Sequence, residues 1–219
     1  MSIIENYNKI LKELRNLRPN NPPEIISVSK KQPFSKIEEA IQSGIQKFGE
    51  NYIQEAIEKF EGKTSNIELH HIGPVQTNNL RKLFPLFAFT HGVGSEKVLI
   101  ELNKQAEKRK SKIKYFLQTN LTGESTKSGF LKKDLTALLE KISLYESEYT
   151  EFIGLMAMGP TNEDPIETRR VFRELNFIRN DFTKNAKLSM GMSGDYLIAA
   201  EEGSDYIRIG SLLFGERIQ

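Results

Sequence analysis

The segment EIISVSKKQPF places a lysine where a buried strand should end. Residues 25–29 (IISVS) are apolar or small, which is typical of a strand that is buried on both faces. Lys30 follows directly and shares the two-residue period of Ile26 and Val28. Burial and a nearby cation both favour the neutral form of an amine, which can attack a carbonyl and form an imine. Alternation turns Lys31 away, and we expect it to be an ordinary solvated lysine.

Two segments near the end of the chain combine glycine and serine in a way that suits an anion. SMGMSGD (189–195) precedes the apolar segment YLIAAEE, and RIGS (208–211) precedes LLFG. Small residues let backbone N–H groups approach an anion closely, and the start of a helix favours negative charge. Either segment alone is more simply explained as a tight turn with a serine cap. As a pair, they favour a phosphate site.

The order of strands and helices predicts how these segments meet. Short apolar or β-branched segments alternate with amphipathic helices, after an N-terminal helix at 3–17 and a proline-rich connector that ends at residue 24. Eight such repeats predict an α/β fold, the (β/α)8 or TIM barrel, in a single domain of residues 1–219. The alternative is an open doubly wound sheet. The predicted strands are 25–29, 46–49, 68–72, 86–91, 113–119, 152–158, 187–191 and 206–209.

Two of the predicted helices carry capping signals. Ser35 and Glu38 have the spacing of a capping box. Asp164 stands at the cap of a later helix, with Pro165 at its first position and an acidic residue in its first turn. The spacing of that helix predicts that it buries Val171, Leu175, Ile178 and Phe182.

Arg208 is predicted to point into the barrel. Its neighbours Ile207 and Ile209 should face the surrounding helices, and alternation then turns Arg208 inward, at an end of the barrel where such folds gather functional groups. A buried guanidinium is costly without an acceptor. The predicted strands supply almost no carboxylate, Glu68 being the main exception, so we expect a ligand to be the acceptor.

An imine-forming lysine, a phosphate cradle and a buried cation together describe a site for pyridoxal 5′-phosphate (PLP). Lys30 would take the aldehyde, and Arg208 could hydrogen-bond the ring nitrogen. Opposite an arginine that nitrogen stays unprotonated, so the ring is a poor electron sink for carbanions. A barrel enzyme that acts on a phosphorylated sugar, with Lys30 as its Schiff-base former, explains the same residues without PLP.

The chain resembles a known family, the pyridoxal phosphate homeostasis proteins, which are single-domain relatives of the N-terminal barrel of alanine racemase. The resemblance runs in order over nearly the whole chain. It is carried by VSKKQP (28–33), FGENYIQEA (48–56), HHIGPVQTNN (70–79), QTNLTGESTKSGF (118–130), GLMAM (154–158), LSMGMSGDY (188–196) and IRIGSLLFGER (207–217).

The resemblance implies a PLP-binding protein that buffers or delivers PLP in vitamin B6 homeostasis. The family has no established reaction, and PLP-dependent apo-enzymes are the implied recipients of the cofactor. It implies that Lys30 holds PLP as a Schiff base, that Arg208 faces the pyridine nitrogen and that Asn51 lies near the cofactor. Asn79 stands where the family usually has a lysine. The residues that the resemblance assigns to the phosphate are Ser189, Gly191, Met192, Ser193, Gly210 and Ser211.

A PLP-dependent racemase that lacks its second domain is the competing hypothesis. Alanine racemase adds a β-rich domain with a catalytic tyrosine, and we expect this chain, which ends at Gln219, to lack it. Another base would then be needed. The candidates are His70, His71, His91 and Lys127, although strand histidines are more often packing residues and a loop lysine is more often solvated.

Composition excludes several other classes of protein. The 31 Lys and Arg residues nearly balance 29 Asp and Glu, so no nucleic-acid partner is indicated. The chain has no cysteine and hence no disulfide framework or thiolate site. The first residues do not resemble a secretory signal, and no apolar run is long enough to span a membrane. We therefore expect a cytoplasmic protein, and a monomer because no apolar helix face should remain exposed.

Overall fold

The strands form the predicted closed barrel. The computed structural model describes residues 2–62 and 66–215, and within them eight parallel strands pair in chain order, with the first beside the last. The alternative of an open doubly wound sheet is therefore wrong. The strands are β1 (Glu24–Val28), β2 (Lys47–Glu50), β3 (Glu68–His71), β4 (Phe89–Val93), β5 (Ile113–Gln118), β6 (Thr150–Met156), β7 (Lys187–Ser189) and β8 (Tyr206–Ile209).

Helices surround the barrel and bury their apolar faces against the strands. Two 3-10 helices, η1 (Thr77–Leu83) and η2 (Ile142–Tyr145), complete the connections. The α-helices are α1 (Ile3–Leu17), α2 (Phe34–Gln42), α3 (Ile53–Phe60), α4 (Glu96–Arg109), α5 (Lys132–Leu139), α6 (Pro165–Phe182), α7 (Tyr196–Glu201) and α8 (Ser211–Phe214). The helix predicted at 3–17 is confirmed.

Alternation along the strands divides the buried residues into two clusters. The larger one fills the layer between the strands and the helices. The smaller one fills the barrel and consists of Ile26, Phe89, Phe116, Met156 and Tyr206. Since Arg208 shares the parity of Tyr206, it points inward as predicted and is only 4% exposed.

Strand β4 begins three residues later than predicted. The amide of Phe87 donates to the carbonyl of Leu83, so the apolar residues 86–88 belong to the turn after η1. The strand then runs from Phe89 to Val93. His91, the last residue of the predicted strand, therefore lies in the middle of the observed one and is fully buried.

The capping predictions have mixed outcomes. Asp164 caps α6, accepting hydrogen bonds from two backbone amides, and Pro165 is its first residue. The capping box at Ser35 is wrong, because α2 begins at Phe34 after Pro33 and Ser35 lies inside the helix. Of the four residues predicted to be buried on α6, Val171, Leu175 and Ile178 are buried, whereas Phe182 is 39% exposed near the helix end.

The expectation that no apolar helix face remains exposed is also wrong. Ile166 and Phe177 are 84% and 61% exposed on α6. They are three turns apart and therefore lie on the same side of the helix. Among the described residues, none of the helices has the length and apolar character needed to cross a membrane.

Candidate functional site

A cleft of about 400 Å³ opens at the carboxyl ends of the strands. This is the end of the barrel where the sequence placed the site. Two of the nine predicted residues, Ser189 and Gly191, do not line it. The seven that do are Lys30, Asn51, Met192, Ser193, Arg208, Gly210 and Ser211.

Lys30 lies in the turn that follows β1, lines the cleft and is partly buried. The next residue, Lys31, is exposed, as predicted. Its φ of 57° is in the left-handed region that side chains rarely adopt. Its backbone amide donates to Glu55 at 2.5 Å, and this bond helps to fix the turn.

A buried ion pair supports the Lys30 turn from outside the barrel. The carboxylate of Glu50 is fully buried, and it accepts hydrogen bonds from Ser29 at 2.7 Å and from Lys59 at 3.0 Å. The same lysine amine donates to the carbonyl of Ser29 and to the carboxylate of Glu55. Burial raises the pKa of Glu50, against the opposing effect of Lys59. These contacts connect β1, β2 and α3 directly beside Lys30.

Asn51 reaches the cleft because the neighbouring loop comes unusually close to it. A Cβ atom on Gly73 would lie 2.5 Å from the carbonyl oxygen of Asn51. Only glycine therefore fits at position 73, and the loop after β3 packs directly against the residue that follows β2.

Arg208 lies at the floor of the cleft and contacts only neutral acceptors among the described residues. Its guanidinium donates to the carbonyl oxygens of Ser189 at 2.9 Å and Ala157 at 3.2 Å, and to the Ser189 hydroxyl at 2.6 Å. Burial lowers the pKa of Arg208 to about 10, and Asp195 partly offsets this effect.

Ser189 lies beneath Arg208 rather than beside the cleft. It is fully buried, and its hydroxyl stands 2.9 Å from Nδ1 of His91. The hydroxyl is thus already engaged by Arg208 and His91. The sequence could not anticipate this, because the contact depends on the register of β4.

The segment at 190–195 folds as a tight loop that packs against α7. Gly191 has a φ of +91°, and a Cβ atom there would lie 2.6 Å from Cβ of Ala199. The amide of Met192 donates to the carboxylate of Asp195 at 2.6 Å. Burial raises the pKa of Asp195, which itself lines the cleft. One backbone donor of the predicted phosphate loop is therefore occupied by an acidic side chain.

Several residues of the cleft were not predicted. Lys127 donates to the carbonyl of Gly159 at 2.6 Å and pairs with Glu124, so it is not a solvated loop lysine. Asp195 and Glu163 add negative charge to the lining. A loop between strands has no period that reveals which side chains turn inward. The role of these three in the lining could therefore not be read from the pattern, although Lys127 is one of the candidate bases and Asp195 lies in the predicted glycine–serine segment.

The three histidines do not line the cleft. His70, His71 and His91 are buried, and burial lowers the pKa of each. This agrees with the interpretation of strand histidines as packing residues. Asn79 is exposed on η1 and lies outside the lining.

The fold is a (β/α)8 barrel with a cleft at the carboxyl ends of its strands. Comparisons with known proteins show that this barrel is of the alanine racemase N-terminal type. The family model "Alanine racemase, N-terminal domain" matches residues 4–218. An alanine racemase of Clostridium difficile has the same fold, with a TM-score of 0.75 at 15% identity, over 98% of this chain and 58% of that one.

Relatives of higher sequence identity belong to one family within this type of barrel. A pyridoxal phosphate homeostasis protein of Aquifex aeolicus is 32% identical over 99% of both chains. One of Buchnera aphidicola is 36% identical over 93% of this chain and 92% of its own. The structure of PipY from Synechococcus elongatus with PLP bound has a TM-score of 0.81 at 32% identity, over 94% of this chain and 100% of that one. The chain belongs to the pyridoxal phosphate homeostasis protein family.

Proposed function

We propose that this protein binds PLP, holds it covalently through Lys30 and takes part in PLP homeostasis. The observation that carries the proposal is that one cleft is lined by Lys30, by Arg208 and by residues of both glycine–serine loops. These are the three kinds of group that an aldehyde, a pyridine nitrogen and a phosphate require. The PLP-bound PipY structure supports the assignment.

The residues of the cleft fit PLP on chemical grounds. Arg208 is a buried cation whose hydrogen-bond acceptors among the described residues are all neutral, so a ring nitrogen can add an acceptor to those of Ser189 and Ala157. We assign the phosphate to the loop residues Met192, Ser193, Gly210 and Ser211 and assign Ser189 to the support of Arg208. Asn51 completes the lining on the side of β2.

Arg208 also favours binding over turnover. When bound, PLP supplies an aldehyde that bonds to amines and a ring that can withdraw electrons. An arginine only donates hydrogen bonds, so it holds a ring nitrogen in its unprotonated form and weakens that withdrawal. We therefore propose that the protein has no catalytic turnover of its own. The competing racemase hypothesis is tested by an assay for racemisation of free amino acids, in which measurable turnover would overturn ours.

Borohydride reduction after incubation with PLP, followed by peptide mapping, tests the covalent site. We expect one reduced pyridoxyl group, on the peptide that contains Lys30. Lys30→Ala should abolish it, whereas the exposed neighbour provides the control, since Lys31→Ala should retain it. Labelling scattered over surface lysines, or no labelling, would refute the PLP assignment and favour the sugar-phosphate alternative.

We expect Asp195→Asn to tighten the binding of phosphate. The substitution removes a half-buried negative charge that occupies the Met192 amide and faces the cleft. Relief of repulsion of about 1 kcal/mol corresponds to a roughly fivefold gain in affinity. Calorimetric titration with inorganic phosphate measures it.

Asp164→Asn is the matched control for this prediction. It makes the same change of charge at the cap of α6, outside the lining of the cleft, and asparagine caps a helix as well as aspartate does. Equal affinity in both variants and the parent protein would mean that Asp195 does not compete with phosphate.

Recipient apo-enzymes and a monomeric state remain predictions. The exposed rim residue Met192 and the half-buried Lys30 support a cofactor that can exchange with a recipient. Transfer of PLP to an added apo-enzyme, measured by recovery of that enzyme's activity, tests the first. Sedimentation tests the second, for which the exposed apolar side of α6 is the relevant surface.

A further inference from the structure

A chain of hydrogen bonds crosses the inside of the barrel from Arg208 to its opposite end. Below Arg208 the Ser189 hydroxyl meets Nδ1 of His91 at 2.9 Å. Nε2 of His91 then lies 2.9 Å from Nδ1 of His70, whose Nε2 lies 3.0 Å from the Glu68 carboxylate. The cleft end of this chain is a cation, and the far end is an anion.

Aromatic packing holds both imidazole rings of the chain in place. The His70 ring stacks on Phe89 at 4.3 Å between centroids, and the His91 ring stacks on Phe116 at 4.2 Å. The edge of Tyr206 closes a further side of His91. Neither ring can turn without displacing the apolar filling of the barrel, so the two ring nitrogens of each have fixed partners.

The charges at the two ends determine where each proton lies. The hydrogen bond from His70 lowers the pKa of Glu68 to about 2, so Glu68 is an ionised acceptor at neutral pH. Burial lowers the pKa of both histidines, which are therefore neutral and carry one proton each. His70 must then donate from Nε2, which leaves its Nδ1 to accept from Nε2 of His91. Nδ1 of His91 in turn accepts from Ser189.

We propose that Glu68, His70, His91 and Ser189 form a one-directional relay that fixes the Arg208 guanidinium and links it to a carboxylate outside the cleft. Each hydroxyl or N–H of this relay points away from the cleft and toward Glu68. The Ser189 oxygen is then left with its lone pairs toward Arg208, which can only donate. These four are positioning residues, because none of them lines the cleft.

The relay explains how an arginine is held at the floor of an otherwise apolar barrel. Hydrogen bonds through Ser189, His91 and His70 connect its guanidinium to the Glu68 carboxylate, which does not contact it directly. Ser189 orients the guanidinium from inside the barrel, and the side of the guanidinium that faces the cleft remains available to a ligand. This role toward a ring nitrogen rests on the proposed function, whereas the direction of the relay does not.

Nitrogen-15 NMR of the histidine side chains tests the direction in the protein without cofactor. The chain contains 3 histidines, so each can be assigned. We expect His70 and His91 to be neutral with the proton on Nε2. A proton on Nδ1 of either ring would overturn the proposal.

Transmission along the relay is tested with Glu68→Gln. The amide can donate as well as accept, so the direction is no longer imposed. We expect the ring signals of both His70 and His91 to change, although His91 does not contact residue 68. A change confined to His70 would show that the contacts are independent and would overturn the relay. His71, which bonds Thr90 instead, is the internal reference and should not change.

Lys47→Met is the matched control for transmission. Lys47 pairs with the same carboxylate at 2.5 Å but is not part of the relay, and the largest effect that lowers the pKa of Glu68 is the hydrogen bond from His70. We expect this variant to keep both histidine signals of the parent protein. Changes equal to those of Glu68→Gln would mean that any alteration of this charged cluster disturbs the barrel, and would overturn the proposed direction. These measurements use the protein without cofactor. They therefore test the relay independently of the borohydride experiment, which tests the PLP site.

Discussion

Lys59→Met is expected to destabilise the protein by about 3–5 kcal/mol at neutral pH, because it leaves the Glu50 carboxylate buried without its cation. Lys59 is only 11% exposed and Glu50 is fully buried, so solvent cannot replace the lost contact. For a chain of this size the melting temperature should fall by roughly 10 °C or more. Thermal unfolding followed by circular dichroism measures the change.

The loss should depend on pH in a defined direction. Burial raises the pKa of Glu50, so the folded state binds this proton more tightly than the unfolded chain does. As the pH falls through this raised pKa, the carboxyl becomes neutral and no longer needs Lys59. The difference between variant and parent protein should therefore be largest at neutral pH and shrink in acid.

Two further variants separate this buried pair from general effects of removing a lysine. Lys59→Met combined with Glu50→Gln should recover much of the lost stability, since no unpaired charge remains. Lys132→Met removes a lysine that is 62% exposed in its pair with Glu174, and it should cost no more than about 1 kcal/mol. If it costs as much as Lys59→Met, burial of Glu50 is not the cause.

Arg208→Gln is expected to weaken PLP binding roughly 10- to 100-fold. A hydrogen bond to a charged group is worth about 1.5–3 kcal/mol, and glutamine is both neutral and shorter. The amide retains donors for the carbonyls of Ser189 and Ala157, which lets the barrel fold. Absorbance titration with PLP measures the affinity.

A PLP analogue with carbon in place of the ring nitrogen makes this prediction specific. The parent protein should prefer PLP to this analogue, and Arg208→Gln should lose most of that preference because the partner of the nitrogen is gone. A general disturbance of the cleft would weaken both ligands equally and leave the preference unchanged. That result would place Arg208 away from the ring nitrogen.

The barrel, and the cleft that seven of the nine predicted residues line, could be predicted from sequence because they depend on short-range patterns. The two-residue period fixes the side to which Arg208 turns, whatever the register of the neighbouring strands, and Lys30 lies only two residues beyond β1. The glycine–serine loops are likewise local features. What the sequence misplaced was the start of β4, because residues 86–88 are apolar but precede the strand, and Phe87 among them packs in the hydrophobic core.

The polar interior could not be predicted because it depends on contacts between distant strands. Ser189 and His91 are 98 positions apart, and their contact requires the observed register across several strands. The Glu50–Lys59 pair was missed for a different reason. Charged residues are seldom fully buried, so a glutamate at a strand end is ordinarily assigned to solvent.

The N-terminal helix α1 contacts α7 and α8, the two short helices that follow the glycine–serine loops of the cleft. Asn6 donates to the carbonyl of Leu213 in α8 at 3.2 Å, and Tyr196 in α7 donates to Glu13. Arg18, at the end of α1, holds the carbonyl of Ser204 just before β8. Helix α1 and Arg18 thus hold the two short helices that follow the glycine–serine loops. Loss of these contacts is expected to loosen both helices, although α1 itself contributes no residue to the lining of the cleft.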